Sequence, residues 1–375
     1  MVFLLFLVAC FLAFSNGAND NFKGVATLFG SGTTNYKSAI WWATVTTFMG
    51  SLAAIFLAGV LIKNFSGKGL VPDELLQGPE FAISVALGAA LTVFLATKVG
   101  MPVSTTHSLV GALVGSGVVA IGQSFNYLKL GSTFLYPLLV SPFLAGVLSL
   151  LVYILFSKIK AALGLSKPTC VCVGQEYAPR GLHTGSASRM VVSPSSAHPR
   201  ILVDTEESCR EGYEGHFLGF NLQRALDAAH FFSAGVVSFA RGLNDTPKIA
   251  GLLLVVQAFD IKWGIGGVAV AIAVGGLLSA RKVGMTMSKK ITGMNHGQGF
   301  TANMVTGLLV TTASIHGLPV STTHVSVGSI FGIGVRTRKL DLHVVFNILL
   351  SWLFTLPIAA IIAGILYWLL KTFLT

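Results

Sequence analysis

Phe14-Ser15-Asn16-Gly17-Ala18-Asn19-Asp20-Asn21-Phe22-Lys23 returns later in the chain as Phe239-Ala240-Arg241-Gly242-Leu243-Asn244-Asp245-Thr246-Pro247-Lys248. In each copy a long apolar run is interrupted by glycine, an Asn-Asp pair and a lysine. A second shared stretch follows each of them: Gly100-Met101-Pro102-Val103-Ser104-Thr105-Thr106-His107, then Gly317-Leu318-Pro319-Val320-Ser321-Thr322-Thr323-His324. Two polar motifs recur in the same order within two apolar halves. That order points to one site assembled from both halves.

Composition sets the class. Only 10% of the 375 residues are charged, against roughly 25% in an average soluble domain. The mean hydropathy is +0.76. One soluble core could not enclose so many apolar runs, so the chain reads as a polytopic membrane protein. The formal charge of +11 does not mark a nucleic-acid binder. The basic residues lie mostly in connections between apolar runs, and no basic face with interleaved aromatics occurs. Cys10, Cys170, Cys172 and Cys209 offer no CxxC pair and no zinc spacing. The apolar start, residues 2–14, has no basic leader and runs straight into the Asn-Asp motif. It reads as the first half of a broken transmembrane helix instead of a signal peptide.

Apolar segments fall near residues 2–30 (broken), 38–62, 80–99, 103–122 and 133–157. A polar stretch follows, then a second set near 217–258 (broken), 263–280, 298–316, 318–335 and 343–370. Most approach or exceed the ~20 residues that a span needs. The pattern predicts an all-α polytopic membrane protein with a first transmembrane repeat over 1–157, a hydrophilic cytoplasmic loop over 158–216 and a second transmembrane repeat over 217–375. Five spans per repeat is an odd number, so the second half inserts upside down. That is the inverted-topology plan of many secondary transporters, with broken helices at the binding site. The segments that open on Pro-Val-Ser-Thr-Thr-His can instead re-enter as hairpins. With the N-terminus outside, fifteen Lys and Arg fall in inside connections and five in outside ones or at the C-terminal end, the bias that topology requires. Arg281, Lys282, Lys289, Lys290, Arg336, Arg338 and Lys339 agree without the central loop. That loop is rich in Ser, Pro, Gly and His, carries Glu206, Glu207, Glu211 and Glu214, and reads as a flexible cytoplasmic linker. The expected setting is the lipid of the cell (inner) membrane, and a homo-oligomer is compatible with the sequence.

Asp20 and Asp245 are the clearest acids within apolar spans. An ionised carboxylate at a helix centre costs roughly 2.5–3.5 kcal/mol on insertion scales, so two at equivalent positions indicate a function. Gly17 and Gly242 let the backbone leave helical geometry, and Pro247 removes a donor from the second break. Unwound carbonyls, the Asn19 and Asn244 side chains and the two carboxylates then form hard-oxygen shells, suited to Na⁺ or to a protonatable site. Proline just before a helical run fits its first turn. The free N–H groups and positive dipole end there favour an anion. Ser104, Thr105 and Thr106, with Ser321, Thr322 and Thr323, add hydroxyls that bind a tetrahedral oxyanion without fixed charge. The plain alternative is that these residues only cap helices. Nine of twelve positions agree between residues 100–111 and 317–328, which favours the anion site. His107 and His324 read as hydrogen-bonded structural residues. Lys23, Lys248 and Arg241 neutralise the acids or attract the anion. Asn16 stands where the second copy has Arg241, so the halves are not chemically identical.

Through Gly17-Ala18-Asn19-Asp20, Gly242-Leu243-Asn244-Asp245 and the paired Pro-Val-Ser-Thr-Thr-His stretches, the chain resembles the inorganic phosphate transporter (PiT) family over nearly its whole length. The resemblance implies symport of inorganic phosphate with Na⁺ or H⁺, inverted repeats and a site near the membrane centre. It implies a transporter, not an enzyme. One departure stands out: animal members carry a functional glutamate in the span after the first motif, whereas residues 41–61 and 263–280 contain no acid here. The chain looks more like the compact prokaryotic or plastid branch, some of whose members are thought to carry sulfate. The expected arrangement has phosphate between the two Ser-Thr-Thr helix starts. Na⁺, or H⁺ as the alternative coupling ion, binds beside it through Asn19, Asp20, Asn244 and Asp245. Na⁺ is favoured because paired Asn-Asp sites supply several hard ligands, whereas a proton needs one acid. A phosphate sensor without net transport and an intramembrane hydrolase are rivals from other classes. No output domain supports the first, and the duplicated motif argues against a single catalytic centre.

Overall fold

A computed structural model describes residues 1–164, 169–174, 177–182, 189–194, 200–205, 217–255 and 261–374. The chain divides into two compact units, Met1–Tyr153 with His230–Thr375, and Ile154–Ala229. The first half supplies long helices α1 (Val2–Asp20), α2 (Tyr36–Leu57), α3 (Pro79–Val99), α4 (Thr105–Ile121) and α5 (Tyr136–Ala162). The second supplies α6 (Leu222–Ala250), α7 (Ile261–Ser279), α8 (His296–Ile315), α9 (Thr322–Thr337) and α10 (Leu342–Leu374). The order of the two sets is the same, as the repeated motifs require. Among the described residues, seven helical segments are long and apolar enough to cross a membrane. α6, α8 and α9 fall outside that set. α6 carries Arg241, Asp245 and Lys248 on its inner face, and those side chains are buried in protein.

The breaks differ from the expectation. Gly17 lies inside α1 and Gly242 and Pro247 inside α6. The chain tightens only beyond them, into the 3₁₀ turns Asn21–Val25 and Gly251–Val255. The glycines serve close packing instead. A Cβ on Gly17 would overlap the Ile272 carbonyl of α7, and one on Gly242 the Thr47 carbonyl of α2. Bare backbone on one helix thus lets the partner's backbone approach, the small-residue contact that membrane helices favour. Gly111 of α4 meets Leu356 of α10 in the same way, as Gly328 of α9 meets Pro142 of α5.

The Pro-Val-Ser-Thr-Thr-His stretches form the tips of two helical hairpins, α3–α4 and α8–α9. Each first helix ends at a left-handed glycine, Gly100 at φ 77° and Gly317 at φ 71°, a conformation that suits a residue without Cβ. Residues 101–104 and 318–321 then run without helical bonds. Both tips are held by side-chain donors: the Gly100 carbonyl accepts from the buried Thr286 Oγ1 at 3.0 Å, and the Gly317 carbonyl from the half-buried Asn64 Nδ2 at 2.9 Å. Among the described helices, α3 and α4 are each long and apolar enough to cross a membrane, and α8 and α9 fall outside that set. Two crossings and one re-entrant hairpin both return the chain to the side it left, so the number of crossings per repeat is odd in either form and the inversion stands.

The second unit corrects the reading of the central segment as a plain linker. It holds β1 (Thr169–Gly174), β2 (Tyr177–Leu182), β3 (Arg189–Pro194), β4 (Arg200–Thr205) and β5 (Phe217–Asn221). β1 pairs antiparallel with both β4 and β5, and β2 with β3. The β-branched residues Val171, Val173, Val191, Val192, Ile201 and Val203 favour strands, although Ser, Pro and Gly dilute them. Cys209, Glu206, Glu207, Glu211 and Glu214 lie outside the described residues.

Candidate functional site

The centre of the first unit holds five charged side chains: Asp20, Lys23, Arg241, Asp245 and Lys248. None is more than 3% exposed. Isolated burial of so many charges would be prohibitive, so each has to find partners in the protein.

The two lysines organise the rest. Lys23 follows Asp20 by one helical turn and places Nζ 2.5 Å from Asp20 Oδ1 and 2.9 Å from Asn19 Oδ1. It also donates to the Val103 carbonyl at 2.8 Å and to Thr323 Oγ1 at 2.7 Å. Lys248 repeats the pattern. Its Nζ donates to Asp245 Oδ1 at 3.2 Å, the Val320 carbonyl at 2.7 Å and Thr106 Oγ1 at 2.8 Å. The non-helical carbonyls expected at the Asn-Asp motifs therefore come from the hairpin tips. Each shell takes one hydroxyl from the other repeat. Thr106 Oγ1 in turn donates to the Val320 carbonyl at 3.4 Å, and Thr323 Oγ1 to the Val103 carbonyl at 3.0 Å.

The asparagines of the motifs are fully committed. Asn19 Nδ2 donates to Thr97 Oγ1 at 2.8 Å and to the Met101 carbonyl at 3.0 Å, while its Oδ1 also accepts from Val103 N at 3.2 Å. Asn244 Nδ2 donates to the Val320 carbonyl at 3.1 Å and to Asp245 Oδ1 at 3.2 Å, and its Oδ1 accepts from Ser314 Oγ at 3.1 Å. These bonds tie each motif to the hairpin of its own repeat.

Asn16 joins the halves. Its Nδ2 lies 3.2 Å from Asp20 Oδ2, 3.3 Å from Asp245 Oδ2 and 3.0 Å from Thr105 Oγ1. Its Oδ1 accepts from Arg241 Nη1 at 3.1 Å. Arg241 Nη2 donates to Asn21 Oδ1 at 3.0 Å, and Nη1 stands 3.7 Å from Asp245 Oδ2. The sequence noted Asn16 only as an exception to the repeat. Its equivalence to Arg241 is the available signal: at this position the two copies differ, and the two residues meet each other.

At the hairpin tips, Ser104 Oγ accepts from His107 N at 3.1 Å and Ser321 Oγ from His324 N at 3.3 Å. Both serines are N-caps, each using one of the free N–H groups of its helix. The N–H groups of Thr105 and Thr106, and of Thr322 and Thr323, precede any intrahelical bond. Thr105 Oγ1 donates to Asp20 Oδ2 at 3.3 Å, and Thr322 is buried. His107 and His324 meet edge to face with ring centroids 4.4 Å apart. His324 stacks on Trp352 at 3.8 Å, and its Nδ1 lies 3.2 Å from the Leu138 carbonyl. The two helix starts, one from each repeat, therefore adjoin one another.

A model of the phosphate transporter family matches residues 16–363. The chain is 28% identical over 404 residues to a protein of Pyrococcus furiosus named as a candidate phosphate permease, covering 98% of this chain and 95% of that one. It is 25% identical to a chloroplastic inorganic phosphate transporter of Arabidopsis thaliana, over 98% of this chain and 72% of that one. A solved structure described as the sodium-dependent phosphate transporter superposes with a TM-score of 0.75 at 24% identity, covering 99% of both chains.

Proposed function

The chain belongs to the phosphate transporter family, a family of transporters and not of enzymes, and on that premise we propose that it carries inorganic phosphate by alternating access of its two inverted repeats. The observation that supports this most is the meeting of two helix N-termini at a buried centre with three cations and two carboxylates. Helix starts offer N–H groups and a positive dipole end to an anion, and the charge excess has the same sign. Phosphate is bound through Ser104, Thr105, Thr106, Ser321, Thr322 and Thr323, with the serine hydroxyls acting mainly through the caps they form. Gly17 and Gly242 hold the supporting helices close. The first repeat (1–157) and second repeat (217–375) rock about this centre, and residues 158–216 face the cytoplasm of the cell membrane.

Counterflow of labelled phosphate into liposomes holding the purified full chain tests the assignment. Saturable counterflow is expected, with unlabelled phosphate competing better than sulfate. Its absence removes the transport reading, and equal competition by sulfate widens the substrate to tetrahedral oxyanions.

Sodium coupling through Asn19, Asp20, Asn244 and Asp245 is a second reading, favoured by the solved neighbour's description as sodium-dependent. Against it stand the lysine nitrogens already within both oxygen shells.

A further inference from the structure

We propose that the ammonium groups of Lys23 and Lys248 stand permanently in the place of the coupling cations, so that this chain binds and carries phosphate without Na⁺. The inference rests on phosphate as the substrate of this centre.

The donor set is the first argument. A carboxylate, an amide oxygen, a non-helical carbonyl and a threonine hydroxyl are hard ligands of the kind a monovalent cation takes. Here those four oxygens surround Lys23 Nζ at 2.5–2.9 Å. Lys248 Nζ has a carboxylate, a carbonyl and a hydroxyl at 2.7–3.2 Å. An ion seeking either shell needs the same atoms. If it settled about 4 Å from the nitrogen instead, repulsion between unit charges in a partly polar interior would weaken binding about a thousandfold. The shells that suggest Na⁺ from sequence therefore do not fit it in this chain.

Charge balance is the second argument. Lys23, Arg241 and Lys248 against Asp20 and Asp245 leave the centre with one excess positive charge before any ion arrives. Without the lysines the same centre would hold two carboxylates and Arg241, one excess negative charge. Such a centre repels an anion until it gains cations, which is the basis of sodium dependence. The tethered ammoniums reverse that sign once and for all. Through Thr323 and Thr106 they also fix the two helix starts that meet the anion. Uphill transport then has to draw on another ion or on exchange against an internal anion.

The test compares labelled phosphate counterflow by the full chain in Na⁺ and in Na⁺-free choline medium, alongside its melting temperature in both. Counterflow should change by less than about twofold, against the about 5- to 150-fold expected of coupled ligands, and melting should not move. A drop on the larger scale, or a rise of wild-type melting in Na⁺, overturns the proposal. Lys23→Asn and Lys248→Asn should lose Na⁺-free counterflow and regain it with Na⁺, with melting raised by Na⁺. Variants that work equally in choline also overturn it. If the variants do not fold, the wild-type pair of measurements decides. If wild type shows no counterflow in either medium, the phosphate reading fails, and the melting comparison still judges the sodium question.

Discussion

Replacing Asp20 by Asn keeps the shape of the side chain and removes its charge from Lys23. At 2.5 Å and an effective dielectric near 20, the gross attraction is about 7 kcal/mol. Only part of it is net, because burying both groups opposes it. Removing one partner of a buried pair typically destabilises by about 3–5 kcal/mol, since the other charge is left uncompensated. Asp20→Asn should therefore lower the melting temperature of the purified protein by something on the order of 5–10 °C. Asp245→Asn should do more, because it strands two cations, Lys248 at 3.2 Å and Arg241 at 3.7 Å. The sharper test is a cycle. Asp20→Asn with Lys23→Gln removes both charges, so the double variant should be more stable than Asp20→Asn alone. The coupling energy should reach at least about 2 kcal/mol, measured by unfolding in mixed micelles. Single effects that add to the double within about 0.5 kcal/mol would refute the view of Lys23 and Asp20 as one electrostatic unit.

Two further outcomes follow from packing and capping. Gly17→Ala and Gly242→Ala should each destabilise by about 1–3 kcal/mol, because the new methyl meets a neighbouring helix backbone, whereas Gly266→Ala, with open space around it, should be neutral or stabilising by up to about 1 kcal/mol. Thermal unfolding of the three variants separates them. Ser104→Ala and Ser321→Ala should each cost about 1 kcal/mol through loss of an N-cap and raise the phosphate concentration for half-maximal uptake, read from the same liposome assay.

The helical repeats were legible because the motifs recur in order. Among the described residues seven helical segments are long and apolar enough to span, and α6, outside that set, is recognised through its Asn-Asp copy. The carboxylates, lysines and hairpin threonines were likewise visible as motif residues. Their partners were not. Met101, Val103 and Val320 contribute through backbone oxygen, for which side-chain identity carries no signal. The glycines were legible as special positions but read for the wrong property. Whether a glycine bends a helix or admits a neighbour depends on the facing helix, here α7 or α2, far off in sequence. The strands of the second unit were hidden by the average polarity of their surroundings, since composition over 59 residues outweighs runs of three β-branched or aliphatic side chains.

The crossed bonds of Lys23 to Thr323 and Lys248 to Thr106 bear on ancestry. A single half, made alone, would own a lysine and an acid but would lack the hydroxyl that closes the lysine's shell. Two such halves, inserted in opposite directions, would each complete the other. The smallest assembly that satisfies both ammoniums is therefore an antiparallel pair. A gene encoding one half would have to produce a protein indifferent to its own orientation before fusion could fix it. Fusion also let equivalent positions take different residues where the halves meet: Asn16 stands opposite Arg241 in the repeat and accepts its hydrogen bond at 3.1 Å.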